Sequence, residues 1–368
     1  MHRGSGVAAN MRGCRVVTTG LTVRLLLSRQ LHALDHISWS IVSGDDARDL
    51  RGEWPTFVIP IRREFALSDV GAFFRLLRLF RRERFDLVQT HTPKASFLGL
   101  PAARLAGSPS VYTVHGALYF RDNGPVANIL GWLFERWCCM WAHLVLVQSR
   151  EDEGVLPAAR ICPARKVRYV GNGVQLARFT EAVAPARRSD RPIVVMVSRL
   201  VREKGCRDYL ALARALGDRA EFVHVGPAEH DQRDAITDAE MAAADSVCFV
   251  GAVEDVRPWL SAADVVVLPS YREGIPRVAM EAAAAGRPVL AYDVRGVREV
   301  LAAAPELLVR RGDTAALRTT LERLLADPQW RRAAGRACQV SVLERFSEDD
   351  VVDRLKEVYA SLSAARRT

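Results

Sequence analysis

Short apolar runs and helix-like segments take turns along this chain, first through one half and then through the other. Arg15 to Thr19, Ser38 to Ser43, Asp86 to Thr90, Ser110 to Val114 and Leu144 to Gln148 read as strands in the first half. Ile193 to Ser198, Glu221 to Val225, Val247 to Gly251, Val265 to Leu268 and Val289 to Tyr292 do so in the second. Runs that are apolar on both faces suit a parallel sheet, because every crossover lays a helix on one face or the other. The fold class is therefore α/β, with two Rossmann-like halves. Between them EAVAPARRSDR, residues 181–191, is polar, carries a proline and has no apolar periodicity, as a linker does. The expected organisation is one domain over 1–180, the linker 181–191, a second domain over 192–345 and a closing helix within 346–368. One ligand site is expected between the halves.

A length of 368 residues suits two ordinary domains, and 49% apolar residues supply a core for each. The cysteines form no CxxC pair and no metal-ligand spacing; scattered and odd in number, they read as small buried apolar residues in a reducing compartment. The first residues, MHRGSGVAAN, lack the apolar core of a signal peptide. The net charge of +9 suits anionic partners, yet no zinc-finger spacing or RNA-binding aromatic signature appears, which argues against nucleic acid. No apolar run reaches the roughly 20 residues of a spanning helix. Val70 to Arg84 carries Val70, Phe73, Phe74, Leu77 and Phe80 at helical spacing, with Arg75, Arg78, Arg82 and Arg84 on other faces. Such a helix lies on an anionic bilayer or covers a sheet, and both readings stay open.

Ser270 to Gly286, SYREGIPRVAMEAAAAG, carries the chemistry of the second half. It follows the apolar run Val265 to Leu268 and Pro269. Pro276 marks a helix start, helix formers run from Val278 to Ala285, and Gly286 and Pro288 stop them. Glu273 then lies in the loop at a strand's carboxyl end, and Glu281 about two turns into the helix. In open α/β sheets ligands bind at that crevice, and a helix N-terminus attracts phosphate. Carboxylates there accept hydrogen bonds from vicinal hydroxyls. In SRLVREKG, Ser198 to Gly205, the cations Arg199 and Lys204 stand five residues apart after a strand, suited to one diphosphate. Asp45 and Asp46 read as a turn rather than a metal-binding pair.

The phrase REGIPRVAMEAAAAGRPVLAYDVRGVREV, with two glutamates separated by seven residues, resembles the donor-binding segment of retaining glycosyltransferases of family 4, which have the GT-B fold. SRLVREKG is similar to that family's phosphate-binding loop. HTPKAS, His91 to Ser96, resembles the HTPKAG phrase of the subgroup that acts on polyprenyl-diphosphate-linked acceptors, with Ser96 in place of glycine. YTVHG, ending on His115 and Gly116, and GNGV, Gly171 to Val174, match as well. The resemblance implies a GT-B fold of two Rossmann-like domains facing each other across a cleft, with the closing helix packed on the first.

Residue by residue, it implies that Arg199 and Lys204 hold the donor diphosphate and that Glu281 binds the ribose. Glu273 would hold hydroxyls of the transferred sugar, and Gly274, Ile275, Pro276 and Arg277 would bring backbone to phosphate and sugar. Gly20, one glycine where relatives have two, would face the donor phosphate. His115 would contact the sugar, and Lys94 and His91 would meet the acceptor. In such a retaining enzyme the departing phosphate helps deprotonate the acceptor, so no protein nucleophile, metal or other cofactor is implied. The function expected is transfer from a nucleotide-diphosphate sugar, UDP-linked, to a polyprenyl-diphosphate-linked glycan. The protein would sit peripherally on the anionic inner face of the cytoplasmic membrane. A nucleotide-sugar epimerase of similar fold is a weaker alternative, since it needs further acid and base groups. A catalytically silent nucleotide-sugar-binding subunit is the other, against which the intact charged residues speak.

Overall fold

A computed structural model describes residues 11–365 apart from 45, 46, 48, 49, 51, 62–64, 121, 122, 182, 187, 188 and 230–233. Asp45 and Asp46, read above as a turn, lie outside the described residues. The chain forms two compact units. One is built from the chain up to Gly171 and again from Val352 onward, the other from Asn172–Val351. Residues 181–191 thus belong to the second unit, where Ser261 Oγ donates to Val183 O (2.7 Å) and Ala186 N to Pro258 O (2.9 Å).

The first unit holds seven strands: β1 (Met11–Val16), β2 (Ile37–Ser43), β3 (Thr56–Val58), β4 (Leu87–Thr90), β5 (Ser110–Val114), β6 (Leu144–Val147) and β7 (Val167–Tyr169). They pair in parallel in the order β3-β2-β1-β4-β5-β6-β7. The order reverses between β1 and β4, so the loops leaving those two strands flank the switch point. β1 starts at Met11 and ends at Val16, earlier than the sequence suggests, because MRGC ahead of Arg15 is no apolar run; Arg15 itself sits inside the strand with no exposure. Its guanidinium lies over the Trp39 ring at 4.6 Å, and Nη1 donates to Gln30 Oε1. A buried arginine in a strand is what the apolar pattern could not anticipate.

Three helices of this unit matter below: α1 (Ser68–Glu83), α2 (Pro93–Leu105) and α3 (Pro125–Trp141). α1 ends at Arg84, whose φ of 51° stops the helix. Its buried face is Ala72, Leu76, Leu77, Leu79 and Phe80, whereas Val70 and Phe74 are 60% and 59% exposed. Of the apolar stripe read from sequence, Leu77 and Phe80 therefore face the core and Val70 and Phe74 face outward.

The second unit holds β8 (Ile193–Val197), β9 (Glu221–Val225), β10 (Val247–Gly251), β11 (Val265–Leu268), β12 (Val289–Tyr292) and β13 (Leu308–Val309). These are also parallel, in the order β10-β9-β8-β11-β12-β13, reversing between β8 and β11. β11 is buried along its whole length, as its unbroken valine run requires. α4 (Arg277–Ala284) follows it, and α5 (Glu348–Ala365) closes the chain. From Val352 onward α5 belongs to the first unit. There Tyr359 donates to Gln89 Oε1 of β4 (2.5 Å), and Arg354 Nε to Val170 O (2.8 Å). All described cysteines are free, and all but Cys248 are buried, so Cys248 departs from the expected pattern. Among the described residues no helix is long and apolar enough to cross a membrane.

Candidate active site

In the second unit, the loops leaving β8 and β11 carry most of the residues singled out in the sequence, and the switch point makes those strands neighbours. Lys204 Nζ stands 2.7 Å from Glu273 Oε1, with side-chain exposures of 22% and 9%. Two further contacts staple the loops: Tyr271 N donates to Glu203 O (2.9 Å), and Arg272 Nε meets Glu203 Oε1 (2.7 Å). Gly205, at φ 73°, lets them touch, since a Cβ there would stand 1.9 Å from Pro269 O. Only glycine combines that left-handed backbone with that approach. Below the loops Asp208 Oδ2 accepts from both Tyr271 and Tyr292 hydroxyls, each at 2.8 Å.

α4 begins right after this loop, with Pro276 in extended conformation as its N-cap and no side chain capping it. Four backbone amides at such an end lack helical partners and favour anions. Glu281 lies one turn into α4, since the helix begins at Arg277, rather than the two turns expected. Burial raises its carboxyl pKa, and Arg277, whose Nε is 3.6 Å away, opposes that rise. Two more contacts hold the loop from behind. Asn172, in GNGV, donates Nδ2 to Ile275 O at 3.2 Å. Gly296, at φ 74°, admits Gly274 O where a Cβ would stand 1.4 Å from it.

Arg199 lies at the start of the same β8 loop, and its Nη1 pairs with Glu229 Oε2 at 2.8 Å. Both cations thus have carboxylate partners, and an arriving diphosphate would exchange with those partners for the cations. Glu203, Asp208, Glu229, Tyr271 and Tyr292 carried no sequence signal, because their roles depend on contacts between separate loops.

In the first unit the corresponding switch point lies between β1 and β4. After β4 come His91 and the start of α2, and after β5 comes His115. His91 Nδ1 and His115 Nε2 are 3.2 Å apart, so one donates to the other. Burial lowers the pKa of both: His115 falls to about 4, with the Arg15 charge lowering it further and a Gln148 hydrogen bond opposing, and His91 falls well below the usual range. The pair is neutral at physiological pH. His91 Nε2 is buried and, among the described residues, has no hydrogen-bond partner. Thr18 of the β1 loop joins the β4 loop, with Thr18 Oγ1 and Thr92 Oγ1 2.5 Å apart. Gly20 opens a helical stretch that continues as a π-turn over Val23–Leu27, and a Cβ on it would stand 2.8 Å from Ala47 Cβ. Lys94, in the first turn of α2, is 4% exposed, and its Nζ lies 2.7 Å from Asp69 Oδ2 and 4.4 Å over the Phe65 ring. Its ammonium is therefore inside the unit and already paired.

Residues 22–178 match the family described as "Glycosyltransferase Family 4", and residues 191–327 the family described as "Glycosyl transferases group 1". EpsD of Bacillus subtilis is 29% identical over 83% of this chain and 84% of its own. The N,N'-diacetylbacillosaminyl-diphospho-undecaprenol α-1,3-N-acetylgalactosaminyltransferase of Campylobacter jejuni is 25% identical over 78% of this chain and 80% of its own. A UDP-Gal:α-D-GlcNAc-diphosphoundecaprenol α-1,3-galactosyltransferase of Escherichia coli is 26% identical over 83% of both. Among solved structures, Anabaena Alr3699/HepE in complex with UDP and glucose superposes with a TM-score of 0.79 at 19% identity, over 96% of this chain and 99% of that one. That likeness establishes the GT-B fold.

Proposed function

We propose that this chain, which belongs to the glycosyltransferases with a family 4 half and a group 1 half, moves a sugar with retention from a nucleoside-diphosphate sugar, UDP-linked, to a polyprenyl-diphosphate-linked glycan. The observation that carries the reading is the Lys204–Glu273 pair, 2.7 Å apart, in a cradle fixed by Gly205 and Glu203. It sets a diphosphate-binding cation beside a carboxylate able to accept from sugar hydroxyls, at the N-terminal end of α4. Two relatives named for diphosphoundecaprenol acceptors support the acceptor class, and the UDP in the name of one supports the donor.

In this reading the donor diphosphate lies between Arg199, Lys204 and the first amides of α4, with Gly274 to Arg277 lining it. Glu281 binds the ribose. Charge builds on the leaving diphosphate as the glycosidic bond breaks, and the two cations and the helix amides stabilise it there. Glu273 fixes the sugar. Neutral His115, held by His91, is able to donate or accept a hydrogen bond without carrying charge. The leaving phosphate takes the acceptor's proton on the same face. Most of the acceleration is then positioning and electrostatics. Lys94 would serve the acceptor diphosphate by exchanging Asp69 for it. The cationic C-terminal half of α1 suits the anionic headgroups of the membrane that carries such an acceptor.

The direct test is nucleoside-diphosphate release from a panel of UDP-, GDP- and ADP-sugars, with and without a lipid-linked acceptor extract. Release from one donor that rises with the extract supports the reading. A new nucleotide sugar formed without diphosphate release would replace it with an epimerase.

A further inference from the structure

α1, α2 and α3 enclose an open groove of about 710 Å³ in the first unit, outside the candidate active site. Its wall is an aromatic ladder: Phe65 meets Phe97 edge-on at 5.1 Å, Phe97 stacks on Trp137 at 5.4 Å, and Trp137 meets Trp141 at 5.6 Å. Leu67, 94% exposed, and Val70, 60% exposed, form one rim, and Leu105, 50% exposed, lines it as well. Among the described residues Asp69 is the one charged residue of the lining, and Lys94 pairs with it. Asp69 Oδ2 also accepts from Ala66 N at 2.9 Å, which fixes the Phe65–Leu67 lip.

We propose that this groove holds the isoprenoid chain of a prenyl-diphosphate carrier, an inference that rests on the acceptor reading above. The volume lies within the roughly 300–1,000 Å³ of small-molecule sites. Among the described residues the lining offers few hydrogen-bonding groups: Asp69, whose Oδ2 is paired and whose buried Oδ1 is not, and the buried indole N–H of Trp141, which has no partner there. A sugar, nucleotide or peptide backbone would leave its polar groups unsatisfied there, whereas a branched, unsaturated hydrocarbon loses nothing. Both ends of the groove's polar side fit the rest of such a molecule. Lys94, which touches Asp69 and Phe65 of the lining, stands in the first turn of α2, within HTPKAS, at the switch point. On the outer face of α1 the exposed sequence runs from Leu67, Val70 and Phe74 to Arg75, Arg78 and Arg82, so hydrocarbon surface gives way to cations that complement a diphosphate.

The test uses the full chain with farnesyl diphosphate, inorganic pyrophosphate and phosphatidylglycerol vesicles, read by the fluorescence of Trp137 and Trp141 and by calorimetry. Farnesyl diphosphate is expected to bind more than about tenfold tighter than pyrophosphate. Val70→Glu and Leu105→Glu, at exposed positions and checked by melting temperature for an intact fold, are each expected to weaken it by a similar factor. Farnesyl diphosphate binding no better than pyrophosphate, or unmoved by both variants, overturns the proposal. So does a variant-sensitive response to vesicles alone, which would make the groove a bilayer contact. A chain that binds farnesyl diphosphate in this way but releases diphosphate from no nucleotide sugar supports the groove and overturns the transferase donor reading instead.

Discussion

Lys204 and Glu273 are separated by 69 residues of sequence and by 2.7 Å in space, the ammonium donating to Oε1. The two side chains leave neighbouring parallel strands at the point where strand order reverses, so each holds the other over the N-terminal end of α4. The carboxylate spares a partly buried ammonium from lying unpaired when the site is empty. A diphosphate then competes for the ammonium and frees the carboxylate for sugar hydroxyls. Glu273→Gln is expected to lower kcat for diphosphate release on the order of 10²-fold, and Lys204→Ala to raise the donor KM as well. Because the residues act as a unit, the double variant should lose little beyond the worse single. Losses that simply add would mean the two residues act independently rather than as a unit.

Glu281 is held by burial above the ordinary carboxylate range, with Arg277 pulling the other way. The native state therefore binds this proton more tightly than the unfolded chain. The resulting stability is full below the unfolded pKa of about 4.3 and is lost as pH rises toward the raised native value. Once ionised, the buried carboxylate is a net liability that ribose hydroxyls donating to it would offset. Glu281→Gln should melt higher than the parent near pH 7, with the difference closing as pH falls through the ordinary glutamate range. The same variant should bind UDP on the order of tenfold more weakly in calorimetry. A lower melting temperature at pH 7 would show that the Arg277 contact outweighs burial.

The sheets were legible because buried parallel strands announce themselves as apolar runs, and β5, β9, β10, β11 and β12 fall on the residues read from sequence. β3 (Thr56–Val58) and β7 (Val167–Tyr169) escaped notice as three-residue edge strands with only one neighbour each. β1 begins earlier than its apolar signal because its first residues, MRGC, form no apolar run. For the site, sequence-local phrases located the loops, but the contacts among them come from topology. Nothing near Arg199 points to Glu229, and nothing near Lys94 points to Asp69. The aromatic groove was hidden for a different reason. Its lining comes from helices whose apolar stripes look like ordinary core stripes, and only the exposure of Val70 and Phe74 shows that part of the stripe faces outward.

Gly296 and Gly205 make separate demands on the donor loops. At each the backbone is left-handed, and a Cβ would stand 1.4 Å from Gly274 O or 1.9 Å from Pro269 O. Those obstacles are backbone carbonyls, so no side-chain rotation relieves them. Gly296→Ala and Gly205→Ala are each expected to cost more than about 2 kcal/mol in urea unfolding of the second unit and to abolish measurable UDP binding. Gly154→Ala, in the first unit, is a control for a glycine with open space around it and is read on that unit's unfolding. It lies within a helix with nothing inside 4 Å of the added carbon, and it should gain about 0.5–1 kcal/mol. Retained UDP binding in Gly296→Ala would show that the donor loop tolerates displacement and that its backbone does not meet the phosphate.

The buried histidines contribute to the acid limit of the fold. His115, His143 and His224 are lowered to about 4, in each case mainly by burial, and His91 lies well below its usual value. In the unfolded chain each takes up a proton near pH 6.5. Between those values the unfolded chain binds more protons, so stability is full above about pH 6.5 and is lost as pH falls toward 4. His224 isolates the effect, since it lies in β9, away from the other three, with 1% exposure and Nε2 3.2 Å from Ser198 Oγ. Urea midpoints measured from pH 8 to pH 4 should decline on the acid side, and His224→Leu should flatten that decline whatever it does to stability at pH 8. His115 leads to a second reading on the same samples. Its ring should remain neutral in nitrogen-15 NMR down to about pH 5, so the acid limb of turnover must come from another group. An imidazole signal titrating near 6.5 would place His115 in water and remove it from the neutral hydrogen-bonding role assigned beside His91.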